Sequence, residues 1–187
     1  MGVLTTDRLL LRRWLPADRA PFAALNADPE VMAHFPALMS RADSDGLIDR
    51  IEAGFDERGF GLWAVEVAAT GQFIGFTGLS VPRFEAPFLP GVEIGWRLAR
   101  PFWGHGYATE AARRALAFAF DEVRLDEVLS FTATTNLRSQ AVMARIGMTC
   151  DPADGFDHPS VPEGSPLRRH VLWRVTADRW HALTGAH

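Results

Sequence analysis

Gly104-His105-Gly106 separates a strand-like segment, 91–98 (GVEIGWRL), from an Ala-rich helical segment at 107–122. Two glycines at such a junction let the backbone turn sharply and approach a ligand with no Cβ in the way. The unpaired N–H groups of the helix start, from Tyr107 through Ala108 and Thr109 to about Glu110, point at the same spot. Together with the positive end of the helix dipole they make a site for an anion such as a pyrophosphate. A turn that merely closes a strand–helix connection has the same spacing, so the motif alone leaves both readings open. The NTPase loop G-x-x-x-x-G-K-[ST] is excluded, since no Lys-Ser or Lys-Thr follows the glycines. The dinucleotide fingerprint G-x-G-x-x-G meets Thr109 where its third glycine belongs. Asp126 and Glu127 do lie about 20 residues on, where a ribose-binding acid would stand, so a nicotinamide-dependent oxidoreductase stays as a weaker alternative.

Other side chains could take part in proton transfer. Glu93 is a strand carboxylate flanked by Val92 and Ile94, surroundings that raise a carboxylate pKa; a solvated or salt-bridged carboxylate is the plainer reading. Asn136 ends a strand and Ser139 lies in the first turn of the next helix, so both can face a cleft between parting strands. Equally, Asn136 can be a helix N-cap and Ser139 an exposed helix residue. His158, in Phe156-Asp157-His158-Pro159, and His170 titrate near neutrality and are either bases or anchors of their loop and strand. No H-x-x-x-H or Cys/His cluster occurs, so no metal site is expected. Trp63, Trp96 and Trp173 fall on expected strands as core residues, whereas Trp103 stands beside the glycines, to brace the turn or pack on a ligand.

The elements that must position these residues follow from periodicity and punctuation. Residues 8–14 read as a strand, a short helix starts at Leu15-Pro16-Ala17-Asp18, and Asp28-Pro29 offers a further helix start. Leu47, Ile48, Ile51 and Phe55 share one helical face between Ser40 and Arg58, with Gly59 as the stop. Segments 60–68 and 73–81 form a hairpin, a Pro-bounded loop 82–90 follows, and 91–98 is the next strand. Strand 127–134, helix 137–146, a long irregular stretch 151–167, strand 168–175 and a short terminal helix complete a mixed α/β sheet.

The 187 residues, 48% of them hydrophobic and 22% charged, read as one domain spanning 1–187 that needs no staple. A net charge of −4 argues against a nucleic-acid partner. The single Cys150, the lack of a basic–apolar leader and the lack of an apolar run of ~18 residues lead us to expect a cytoplasmic protein with no membrane partner.

Five segments in order, TDRLLLRRW, FIGFTGL, VEIGWRLARPFWGHGYATEAA, TNLRSQAVMARIGM and FDHPSVPEGSPLRRHVLWRV, resemble the GCN5-related N-acetyltransferase (GNAT) superfamily. The nearer likeness is to its RimJ/RimL-like branch of ribosomal-protein N-terminal acetyltransferases, and it covers nearly the whole chain. The resemblance implies a mixed, mostly antiparallel sheet flanked by helices, whose two central parallel strands splay around acetyl-CoA. It implies that pantetheine runs along the strand at Trp96 to Leu98 and that the pyrophosphate sits on the N–H groups of Gly104, His105, Gly106, Tyr107, Ala108 and Thr109. Trp103 stands beside that loop, and Asn136 and Ser139 line the CoA arm by the same likeness.

Acetyl transfer to an amine needs a base for the amine, donors for the oxyanion and a proton or positive field for the thiolate. Glu93 is the expected base and Ser139 the expected donor to the thiolate. Many members of the superfamily have Tyr where this chain has Met143, and Pro101 replaces the first position of the family's Q/R-x-x-G-x-G/A loop. Those departures leave a non-catalytic acyl-CoA-binding module as an alternative. The acceptor, an N-terminus or a small amine, is not legible, and a monomer and a homodimer are equally compatible with the sequence.

Overall fold

The computed structural model describes residues 2–185. Nine strands form one sheet: β1 (Leu4–Thr5), β2 (Leu9–Arg12), β3 (Leu62–Val67), β4 (Gln72–Ser80), β5 (Glu93–Leu98), β6 (Glu127–Ala133), β7 (Thr149–Cys150), β8 (Phe156–Asp157) and β9 (Arg169–Thr176). Their order is β1-β2-β3-β4-β5-β6-β9-β7, with β8 also on β9. Every pairing is antiparallel except β5 with β6. The helices are α1 (Arg19–Asn26), α2 (Arg41–Arg58), α3 (Tyr107–Ala117), α4 (Leu137–Arg145) and α5 (Ala177–Thr184). No helix among the described residues is long and apolar enough to cross a membrane.

Local chemistry accounts for the helices that matter here. Ser40 caps α2: its hydroxyl accepts from the Asp43 N–H at 3.1 Å, and Asp43 reaches back to the Ser40 N–H. This reciprocal capping box satisfies two orphan donors and fixes the start. Ile48, Ile51 and Phe55 are buried on one face of α2, and Phe55 meets the edge of Trp63 on β3 at 5.5 Å. Phe22 of α1 packs against Trp14, Phe73 and Phe76, which fixes α1 over β4. Ala111, Ala112, Ala115 and Leu116 sink one face of α3 into the core, and the helical run continues to Glu122 as expected, its last turn, Phe118–Glu122, wound as π.

Two expectations fail for physical reasons. No helix follows Asp28-Pro29: Asp28 accepts from the N–H groups of Glu30 and Val31, and Met32 closes one turn onto Asp28 O. Pro36 then denies the segment a further backbone donor, and its side chains reach β5 and the turn after it instead, Phe35 meeting Arg97 and Glu30 meeting Arg100. The stretch 151–167 is not wholly irregular, since Phe156–Asp157 pairs with Arg169–His170 of β9. Trp63 is 1% exposed and belongs to the core, whereas Trp96 and Trp173 are only half-buried.

Candidate active site

The cleft begins where the sheet comes apart. β5 and β6 share a single register pair, Glu93 with Leu129. Leu129 N–H donates to Val92 O at 2.8 Å, and the Ser130 hydroxyl donates to Ile94 O at 2.9 Å. Beyond that point the parallel strands no longer pair, and a cleft of about 1540 Å³ opens between them. It is lined by β5, β6, the start of α3, the first turns of α4 and the segment 30–36.

At one end lies the glycine loop. Gly104 and Gly106 hold φ of 80° and 81°, a left-handed conformation costly for any residue with a Cβ. A Cβ on Gly104 would meet nothing within 4 Å, so backbone conformation and not crowding selects glycine there. No side chain caps α3, which leaves the N–H groups of its first turn without an acceptor from a cap. Glu110 fixes that turn by accepting from the Thr6 hydroxyl at 2.6 Å, the Arg8 N–H at 3.0 Å and Arg8 Nε at 2.7 Å. Arg113, Arg138 and Arg145 line the same end and have no carboxylate partner among the described residues; Arg113 bonds only the Arg145 carbonyl. Arg100 and Arg138 approach the Trp103 ring to 5.0 and 4.9 Å. Free amides, a cradle without Cβ atoms and unpaired guanidinium groups suit the pyrophosphate and phosphates of a CoA molecule.

Trp96, Leu98, Trp103, Gly104, Gly106, Tyr107, Ala108, Thr109, Asn136 and Ser139 all line the cleft. His105 does not: its carbonyl accepts from Arg8 and its ring stacks on Tyr107 at 5.6 Å. Trp103 braces the turn through its indole N–H, which donates to Leu98 O at 2.8 Å. Asn136 is the N-cap of α4, accepting from the Ser139 N–H at 3.2 Å and donating to Thr132 at 3.0 Å. The capping reading therefore holds for Asn136, while the Ser139 hydroxyl keeps no partner among the described residues. Met143 is 1% exposed and part of the core, one helical turn from Ser139.

Glu93 lies at the apex of the opening. Burial pushes its carboxyl up to about 8, against the modest opposite pull of the Ser80 hydroxyl 3.3 Å away. Strand alternation puts Glu93, Gly95 and Arg97 on one face of β5 and Ile94, Trp96 and Leu98 on the other. The far wall holds Phe131, His158 and His170, with the two imidazoles 4.9 Å apart, and Phe84, Phe88 and Phe156 pack against Phe131. Burial lowers the pKa of both histidines, and His170 lowers that of His158 further. His170 Nδ1 lies 3.1 Å from Arg168 O and His158 Nδ1 accepts from the Ser160 N–H, so each anchors local backbone. Sequence reasoning missed Arg97, Ser80 and Phe131; alternation from Glu93 along β5 was the available signal for Arg97. Glu127, one of the two acids about 20 residues beyond the glycines, is ion-paired with Arg174 at 2.9 Å.

The family model of the acetyltransferase (GNAT) domain matches residues 8–149. The uncharacterized protein YkkB of Bacillus subtilis is 34% identical over 148 residues, 78% of this chain and 84% of its own length. FsC-acetyl coenzyme A-N(2)-transacetylase of Aspergillus fumigatus is 36% identical over 65% of this chain, a stretch that spans 52% of that protein. A solved acetyltransferase from Agrobacterium tumefaciens superposes with a TM-score of 0.75 at 28% identity, covering 94% of both chains. Neither an oxidoreductase nor a non-catalytic module is favoured by these likenesses. With its splayed strands and glycine loop inside the matched region, the chain belongs to the GNAT acetyltransferase family and is an N-acetyltransferase, of a class that draws its acetyl group from acetyl-CoA.

Proposed function

We propose that the protein acetylates a primary amine by direct attack in a ternary complex, with Glu93 as base and Ser139 as hydrogen-bond donor to the leaving sulfur. The carrying observation is the position of Glu93 at the apex of the parting strands, with a carboxyl raised to about 8 by burial. A carboxylate of that basicity takes a proton from an ammonium far better than an exposed one. The amine nitrogen bonds to the thioester carbon, the carbon–sulfur bond breaks, and the amine's proton leaves through Glu93. The Ser139 hydroxyl donates to the sulfur as charge builds there, the role Met143 cannot fill. The amides of Gly104 to Thr109, the backbone of Trp96 to Leu98, Trp103 and Asn136 hold the CoA arm, with His105 contributing only backbone. The nearer RimJ/RimL-like likeness rests on the ordered sequence segments and makes protein N-termini the first acceptors to try.

Glu93→Gln is expected to lower kcat by about 10²- to 10⁴-fold while the thermal shift given by acetyl-CoA persists. Ser139→Ala should also lower kcat without weakening that shift. Unchanged turnover in both variants would refute this mechanism. The chain contains no lysine, so label from acetyl-CoA that enters a lysine-containing acceptor cannot be lysine self-acetylation.

A further inference from the structure

Arg97 is a half-buried cation without an anion. Its Nη1 donates to the amide oxygen of Asn26 at 2.6 Å and lies 3.7 Å from the Met39 sulfur, and its Nε is buried with no partner. Phe35 and Phe76 face its guanidinium at 4.1 and 5.4 Å. No carboxylate pairs with it among the described residues, and burial alone lowers its pKa to about 10. A guanidinium drawn this far out of water is unfavourable without a counter-charge, so such a group normally has a partner of opposite sign. Arg97 lines the cleft, on the β5 face that also carries Glu93 and Gly95. The CoA-holding residues Trp96 and Leu98 lie on the opposite face, so the phosphates gathered at the glycine loop are not its missing partner. Glu93, for its part, has no cationic partner among the described residues; only Ser80 bonds it. Between the two, a Cβ on Gly95 would meet nothing within 4 Å: the floor of the cleft is open there.

We infer that Arg97 is a specificity-determining residue that binds a carboxylate on the amine acceptor, so that the acceptor lies over Gly95 with its amine toward Glu93. This rests on the acetyltransferase reading of the site and names its substrate class. Glu93 and Arg97, the groups that would take the amine and the carboxylate, are four residues apart, a spacing of roughly 13 Å along a strand. An acceptor whose carboxylate is several bonds from its amine fits that interval, and an α-amino acid's own carboxylate falls short of it. Phe35, Phe76 and Leu62 in the cleft wall suit an aliphatic linker between the two charges. The carboxylate can belong to a free ω-amino acid or to an acidic side chain next to a peptide's N-terminus; the chemistry Arg97 reads is the same.

The test uses matched acceptors on the intact protein: 6-aminohexanoate against 6-aminohexanamide, and peptides with Asp or Glu at the second position against Asn or Gln. In at least one pair the carboxylate form should show a kcat/KM at least tenfold higher, mainly through KM, as expected for a charge-assisted bond to a guanidinium. The pair that discriminates identifies the source. Arg97→Gln should collapse that ratio toward one, with Arg97→Lys restoring part of it, and the acetyl-CoA thermal shift should survive in both as the check on folding. Gly95→Val should raise KM for the preferred acceptor. Turnover that treats carboxylate and amide alike in both pairs overturns the inference while leaving the transferase reading intact. No turnover of any amine overturns both.

Discussion

Glu93 and Glu110 are carboxylates whose acidity is shifted in opposite directions by their surroundings. Burial raises Glu93 to about 8. Burial works against Glu110 too, but the bonds from Thr6 and Arg8 prevail and lower it. For Glu93 the sign of the pH dependence follows from proton counting. Between the ordinary carboxylate range and pH 8 the folded chain keeps a proton that the unfolded chain has lost, so stability falls as pH rises through that window. Glu93→Gln removes the dependence, and its Tm should gain on wild type from pH 5 to pH 8.5 in parallel melts. Activity runs the other way: kcat/KM should climb with pH up to about 8, as the free base appears, and then level. A wild-type profile that is flat from pH 6 to 9 would count against Glu93 as the base. Glu93 was legible as a candidate because Val92 and Ile94 flank it, whereas Arg97 was not, because its lack of a partner depends on Asn26, Phe35 and Phe76, brought together from three distant segments.

The N-terminal turn of α3 is tied down from far away in sequence, through Glu110 and the segment Thr6–Arg8. Replacing Glu110 by Gln forfeits the charge in that clamp and is expected to cost about 1–3 kcal/mol of stability, read by urea denaturation. Because the folded pKa of Glu110 is depressed, its contribution is present at neutral pH and fades as pH falls through the carboxylate range. The gap between wild type and Glu110→Gln should therefore narrow toward pH 4. Local signals found the helices whose ends carry their own chemistry: Ser40 and Asp43 start α2, and Gly59 at φ 74° stops it. They misjudged Asp28-Pro29, where Asp28 accepts from the N–H groups of Glu30 and Val31 but the chain closes a single turn and goes no further as a helix. They also missed β1, β7 and β8, two residues each, which exist only because a partner strand is already in place.

Charge is distributed unevenly over the whole molecule, and this bears on the donor more than on the acceptor. The chain carries a net −4, yet the cleft is lined by six arginines (Arg8, Arg97, Arg100, Arg113, Arg138, Arg145) against four acids (Asp7, Glu30, Glu93, Glu110). With Glu93 largely protonated at neutral pH, the cleft is positive inside a negative protein, and low-dielectric walls concentrate such a field. Composition could not reveal this, because the arginines come from β2's approach, β5, the turn after it, α3 and α4 and converge only in the fold. A polyanionic donor should therefore be drawn in by long-range attraction that salt screens, the Debye length falling from about 10 Å at 0.1 M to about 3 Å at 1 M. A singly charged acceptor at the half-buried Arg97 should be far less affected. Raising NaCl from 50 mM to 500 mM is thus expected to raise KM for acetyl-CoA several-fold, with the KM of the amine changing little. Acetyl-CoA at 100 times its Kd should add about 2.7 kcal/mol, a Tm rise of roughly 5–10 °C for a chain of this size. That rise should shrink in high salt, and Arg138→Ala should reproduce part of the loss at low salt. A thermal shift from acetyl-CoA that ignores both salt and Arg138 would mean that the glycine-loop amides alone hold the phosphates.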